Sequence, residues 1–105
     1  MILIFCAFGA ETQPLRARLK NESGLGRVDL HGYYGRIGNT QVALVETGIG
    51  VRRSRAAAAH ALDTLGNIDL VITTGVAGAL HEDLALNAVV VIDGTAVWAY
   101  RYKAA

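Results

Sequence analysis

Apolar and polar positions fall in blocks along this chain. Ile2-Leu3-Ile4-Phe5-Cys6-Ala7 is an unbroken apolar run, partly β-branched and aromatic, that ends at Gly9. Such a run reads as a strand buried on both faces. Residues 70–74 (Leu-Val-Ile-Thr-Thr) and 88–92 (Ala-Val-Val-Val-Ile) repeat the pattern and predict a second and a third buried strand. Helical patterning lies between. Residues 11–20 predict a short helix, with Thr12 as N-cap, Pro14 in the first turn and Leu15 and Leu19 as an i, i+4 apolar pair. Arg16, Arg18 and Lys20 then suit the negative end of its dipole. The alanines at 56–59 give high propensity to a helix from Val51 or Arg52 to Leu65, which Gly66-Asn67 stops. Residues 21–26 read as a loop, 27–37 as strand-like, Gly38-Asn39 as a hairpin turn and 41–45 as the return strand. Residues 82–86 read as a loop or one turn of helix.

Buried strands alternating with helices predict an α/β fold. The hairpin adds an antiparallel pair, so the central sheet is expected to be mixed, with helices flanking it. Ligands of such sheets collect beyond the carboxyl ends of the strands. That singles out three segments: residues 8–11, 47–50 and 74–78.

Composition narrows the class. The 105 residues suffice for one domain, 52% are hydrophobic and 18% charged, a balance suited to a packed core and not to disorder. Twelve glycines against one proline suggest several tight strand-to-helix turns. The net charge of +1 implies no basic face for nucleic acid. Cys6 is the only cysteine, which excludes an internal disulfide and fits a reducing, cytoplasmic setting. The apolar start lacks a basic flank and meets Glu11 almost at once, so no leader is expected. No segment approaches the roughly 20 apolar residues of a membrane span.

Three motifs lie on the singled-out segments. They are Ile4-Phe5-Cys6-Ala7-Phe8-Gly9-Ala10-Glu11, Val45-Glu46-Thr47-Gly48-Ile49-Gly50 and Leu70-Val71-Ile72-Thr73-Thr74-Gly75-Val76-Ala77-Gly78-Ala79-Leu80. In order and approximate spacing they resemble the nucleoside phosphorylase and nucleosidase superfamily: its opening strand with an acidic residue, its Ser/Thr-Gly-Ile/Met-Gly turn, and its Thr-Gly-x-Ala/Cys-Gly loop. The resemblance implies a nucleoside-phosphorylase-like fold and cleavage of the N-glycosidic bond of a small-molecule nucleoside, without a cofactor or a metal. Glu11 makes the chain most similar to the branch that hydrolyses methylthioadenosine or adenosylhomocysteine, where a glutamate here activates water. Phosphorylases tend to carry a glycine and an arginine there for phosphate. The resemblance covers residues 1–92, and residues 93–105 match nothing in it.

Each candidate has a plainer reading. Glu11 in a first helical turn is favoured by the dipole alone; the resemblance makes it the catalytic base, which needs a carboxylate near the reacting carbon. Thr47, Gly48, Ile49 and Gly50 form either a tight βα turn or a set of free amides at a helix N-terminus that receives ligand. By resemblance Ile49 lies against the ribose end, and Phe8, Gly9, Gly75, Val76, Ala77 and Gly78 line the base and sugar. Many relatives carry a serine in place of Val76, so futalosine hydrolases and hopanoid-linked phosphorylases stay open as branches. Arg52, Arg53 and Arg55 read best as a solvated or intersubunit face, with one phosphate contact open. His31, His60 and His81 lack metal-ligand spacing. Cys6 reads as a small core residue. Tyr33, Tyr34, Trp98, Tyr100 and Tyr102 read as core or interface residues.

The resemblance also implies an Asp that protonates the purine and a Met-Glu pair that grips the ribose, both from a second half with no counterpart here. Asn87-Ala88 stands where relatives have Gly-Asp. The expectation is therefore one incomplete domain, residues 1–105, with little activity alone and a tendency to form homo-oligomers. A non-catalytic nucleoside-binding or assembly module is the rival. A dinucleotide-binding domain is disfavoured, since no G-x-G-x-x-G follows the first strand.

Overall fold

The computed structural model describes residues 1–27 and 29–92. Its elements in chain order are β1 (Ile2–Cys6), α1 (Gly9–Arg16), β2 (Lys20–Gly24), β3 (His31–Ile37), β4 (Thr40–Glu46), α2 (Val51–Thr64) and β5 (Leu70–Thr73). They build one sheet of order β2-β3-β4-β1-β5. β1 runs parallel to both β4 and β5, while β2, β3 and β4 are antiparallel neighbours. The sheet is mixed and the fold α/β.

The apolar run of β1 fills both faces of this sheet. Leu3 and Phe5 join Ala43 and Val45 of β4, Leu25, Leu30, and Ala61 and Leu65 from the α2 side. Ile4 and Cys6 join Val42 and Leu44, with Leu15 and Leu19 of the α1 region packed on them. Strand alternation sends successive side chains to opposite faces, so α1 and α2 cover opposite sides. The Gly38-Asn39 turn closes the β3–β4 hairpin with Ile37 paired to Thr40, and Gly38 takes the positive φ of 61° that a two-residue loop demands.

Several boundaries differ from the sequence expectation. α1 begins at Gly9 because extended Phe8 is its N-cap, and Phe8 O accepts from Glu11 N–H at 3.0 Å and Thr12 N–H at 3.2 Å. Thr12 is thus inside the helix and buried, and its hydroxyl donates back to Phe8 O at 2.9 Å instead of capping. Pro14 sits well past the first turn. It withholds a helical donor, and the chain leaves α1 in tight turns, with Arg18 N–H to Leu15 O and Leu19 N–H to Arg16 O, each at 3.0 Å. Lys20 therefore opens β2, and residues 21–24 are strand, not loop. β2 is an exposed polar edge with an irregular register between Lys20 and Ser23, where Asn21 has φ 56°. Its charge and its bulge blunt an open edge, and they also erase the apolar signature that would have marked a strand.

The strand expected from 27 begins at His31, preceded by an isolated Arg27–Leu30 bridge. β5 forms as expected but is not buried: it pairs only with β1 among the described residues, and all four of its residues are exposed. Residues 88–92 form no strand, and Val89 is 93% exposed. Strand propensity depends strongly on a neighbouring ladder, and among the described residues none pairs with this run. Trp98, Tyr100, Tyr102 and the divergent tail 93–105 lie outside the described residues.

Gly32 tests the packing between β3 and β4. A Cβ there would run into the carbonyl oxygen of Leu44 and meet Leu25 Cδ1 at 3.1 Å, whereas a Cβ at Gly24 meets nothing within 4 Å. Gly32→Ala is expected to lose about 2 kcal/mol or more in urea unfolding, and Gly24→Ala to stay within about 0.5 kcal/mol of the parent. Equal effects would contradict this packing.

Candidate active site

β1 lies between two parallel strands, so the carboxyl ends of β4, β1 and β5 share one edge. Adjacent β1 and β4 send their following helices to opposite faces, which opens a crevice between their ends. Backbone hydrogen bonds continue past the strands and fix the turns there. Thr47 N–H donates to Cys6 O and Gly48 N–H to Ala7 O, both at 2.8 Å, and Thr74 N–H donates to Phe5 O at 3.0 Å. The segments 7–11, 47–50 and 74–78 are thereby brought to one place.

Glu11, half-buried in the first turns of α1, is the side chain that joins two of them. Its Oε1 accepts the Ala7 N–H at 3.0 Å and its Oε2 accepts the Val76 N–H at 2.9 Å. The carboxylate thus bridges the turn after β1 and the turn after β5. Bonds from N–H donors to an ionised acceptor are the stronger class. Val76 contributes its backbone amide, and the residue is 83% exposed.

The remaining candidates form the walls and rim. The Thr47 hydroxyl turns inward to Gly48 O at 2.9 Å and Cys6 O at 3.3 Å. Phe8 and Ile49 are exposed on the rim, Ile49 at 69%, and Gly9, Gly50, Ala77 and Gly78 are exposed as well. Gly50 caps α2, and the first intrahelical donor is Ser54 N–H to Gly50 O at 3.0 Å, so the amides of Val51, Arg52 and Arg53 have no helical acceptor. Arg52, Arg53 and Arg55 are exposed, and a Cβ on Gly48 would touch Arg53 Cδ at 3.0 Å. The Arg53 stem therefore covers the second glycine turn.

Below the rim on the α2 side is a cavity of about 110 Å³ lined by Phe5, Cys6, Thr47, Ser54, Ala58 and Thr73. Ligand pockets span roughly 300–1,000 Å³, so the described residues enclose only part of such a site. A larger groove, about 320 Å³, is lined by Asn21, Ser23, Tyr34, Gly35, Arg36 and Gln41. It lies at the opposite end of the sheet, where β4 begins and β3 ends, far from the convergent turns.

Sequence reasoning missed two residues beside the crevice. Glu46 ends β4 opposite Cys6, with Oε2 3.3 Å from His31 Nε2. A Cβ on Gly9 would lie 3.9 Å from its Oε1. The acid was visible inside the second motif, but its neighbours follow only from the hairpin register that sets His31 against it. The other histidines take structural or solvent positions: His60 Nε2 of α2 is 2.6 Å from Asp29 Oδ2, and His81 is exposed. Asp29 is held below the usual carboxylate range chiefly by His60. Tyr34 packs on the α2-side core, and Tyr33 lies under the Arg16 guanidinium, 3.9 Å from ring to Cζ. Among the described residues, no three His, Cys, Asp or Glu side chains gather as a metal set, and no helix is long and apolar enough to cross a membrane.

Cys6 is 1% exposed. Burial, then the charges of Glu11 and Glu46, push its thiol from 9.0 up to about 11, so it stays protonated and a poor nucleophile at neutral pH. A raised folded-state value means that the folded chain holds this proton more tightly than the unfolded one. The associated stability is complete below about 9 and is lost as pH climbs through about 11. Urea unfolding is expected to show that decline between pH 9 and 11, flattened by Cys6→Ala; an equal decline in the variant would contradict the assignment.

The comparisons with known proteins bear on this geometry. The family description "Phosphorylase superfamily" matches residues 1–103. Among solved structures, the 5′-methylthioadenosine/S-adenosylhomocysteine nucleosidase of S. pneumoniae with a transition-state inhibitor is similar at TM-score 0.72 and 33% identity, covering 80% of this chain and 36% of that one. The S-adenosylhomocysteine nucleosidase of Streptococcus pyogenes with 5-methylthiotubericidin gives 0.71 and 30%, over 80% and 35%. The Neisseria meningitidis nucleosidase with methylthio-immucillin-A gives 0.71 and 26%, over 80% and 36%. The chain thus spans about a third of the length of these structures. No curated protein matches it.

Proposed function

The chain belongs to the phosphorylase superfamily, and from that premise we propose that it is the N-terminal part of a purine nucleosidase. The substrate class is a nucleoside such as methylthioadenosine or adenosylhomocysteine. The observation that carries this reading is the Glu11 carboxylate, hydrogen-bonded at the junction of the turns that follow β1 and β5. The solved nucleosidases of similar fold, which hold nucleoside analogues, support it.

In this proposal Glu11 accepts a proton from water as the water oxygen bonds to the anomeric carbon. The N-glycosidic bond breaks, and its electron pair leaves with the base. Thr47, Gly48, Ile49 and Gly50 line the sugar side, while Phe8, Gly9, Gly75, Val76, Ala77 and Gly78 face the base and sugar from the other two turns. Protonation of the leaving base and the grip on the ribose hydroxyls fall to parts of the fold outside the third that this chain spans. The 105 residues are then one incomplete domain, and the exposed apolar β5 edge favours self-association into a homo-oligomer; a cytoplasmic setting belongs to the same proposal.

A second reading, a phosphorylase, is favoured by one feature. Arg53 lies against Gly48 at the start of α2, where a guanidinium could hold phosphate bidentately. A non-catalytic nucleoside-binding module would share the binding but not the bond cleavage.

Adenine and methylthio-immucillin-A are expected to raise the Tm of the protein; no change with either would contradict the reading. Release of free base by these residues alone is expected to be slow, because each ~1.4 kcal/mol of lost transition-state stabilisation is tenfold in rate. Whatever release is measured is expected to fall roughly 100-fold or to background in Glu11→Gln. Release that rises with phosphate would replace the hydrolase by the phosphorylase, and ligand binding without any release would leave only the binding module.

A further inference from the structure

Gly75 stands closer to Glu11 than any side chain would allow. A Cβ built on it would lie 2.5 Å from Glu11 Oε2, 3.3 Å from Cδ and 3.6 Å from Oε1. The carboxylate is not a loose end that can swing aside, since Ala7 N–H holds one oxygen and Val76 N–H the other. Nor does the backbone itself demand glycine: Gly75 is not among the residues of positive φ. What excludes a methyl group at 75 is the carboxylate. We propose that Gly75 is a positioning residue for Glu11, letting the turn after β5 close onto the carboxylate, which then ties that turn to the one after β1.

The chemistry of the tie makes a further demand. A carboxylate offers an acceptor oxygen to each of two donors. A glutamine side chain has one oxygen and would set its NH₂ against the second backbone N–H. Glu11→Gln therefore breaks half of the tie and leaves a backbone donor unsatisfied. Loss of activity in that variant mixes proton transfer with architecture. Gly75→Ala separates them, because it leaves the carboxylate chemically intact and displaces it. The placement holds whatever the reaction; only its catalytic meaning rests on the nucleosidase reading, so either can fail without the other.

The test follows the amide resonances of Ala7 and Val76 against pH in the full chain. Both are expected to move on one common curve as Glu11 takes up its proton. Glu46 and His31 meet in the same corner, 3.3 Å apart; a Glu46→Gln chain, which should keep the common curve, removes the first of these. In Gly75→Ala the Val76 amide is expected to leave the curve and to exchange with solvent at least tenfold faster, while Ala7 stays on it. Gly78→Ala, whose Cβ meets nothing within 4 Å, is expected to change neither. A Val76 amide indifferent to pH in the parent, or still on the curve in Gly75→Ala, would overturn the proposal. Stability gives an independent reading: Gly75→Ala should lower Tm in the parent and cost little in a Glu11→Ala background, where the obstructing carboxylate is gone. An equal loss in both backgrounds would also overturn it, and refolding of the double variant would count in its favour should Gly75→Ala alone fail to fold.

Discussion

Burial of β1 on both faces is the constraint from which the other features follow. Its side chains alternate between two cores, Leu3 and Phe5 on the α2 side and Ile4 and Cys6 on the α1 side. A strand of that kind must have a ladder on each edge and cover on each face. β4 and β5 supply the ladders in parallel, and the helices following β1 and β4 leave to opposite faces. Once this is set, three strand ends and their turns share one rim, and the first turns of α1 carry Glu11 into it.

Long-range hydrogen bonds then convert adjacency into a defined corner. The amides of Thr47, Gly48 and Thr74 extend the two ladders by a residue or two beyond the strands. Glu11 adds the cross-link that backbone pairing cannot, from the turn after β1 to Val76. The apolar surroundings that build the core also hold the Cys6 thiol protonated.

Much of this was legible in the residues because it depends on local pattern. The continuous apolar run of β1, the Gly38-Asn39 hairpin and the alanine-rich α2 each carry their own signal, and the three segments stood out because ligands of an α/β sheet collect beyond the carboxyl ends of its strands. What escaped depends on context. β2 is a polar edge strand held by backbone pairing to β3, so its composition reads as loop. Phe8 rather than Thr12 caps α1, because the chain turns at the end of β1 before any conventional capping residue arrives. Residues 88–92 have strand composition without a strand, since among the described residues no ladder meets them. The Glu11–Val76 bond spans 65 residues; no short-range rule reaches that far, and the glycine before Val76 disclosed a turn but not the carboxylate packed against it.

The central claim is that ligand binds where these turns meet. Mapping amide chemical-shift changes on adding methylthio-immucillin-A tests it most directly. The account predicts changes concentrated in residues 7–11, 47–50 and 74–78. Changes concentrated instead around Asn21, Tyr34, Arg36 and Gln41, in the larger groove at the far end of the sheet, would contradict it.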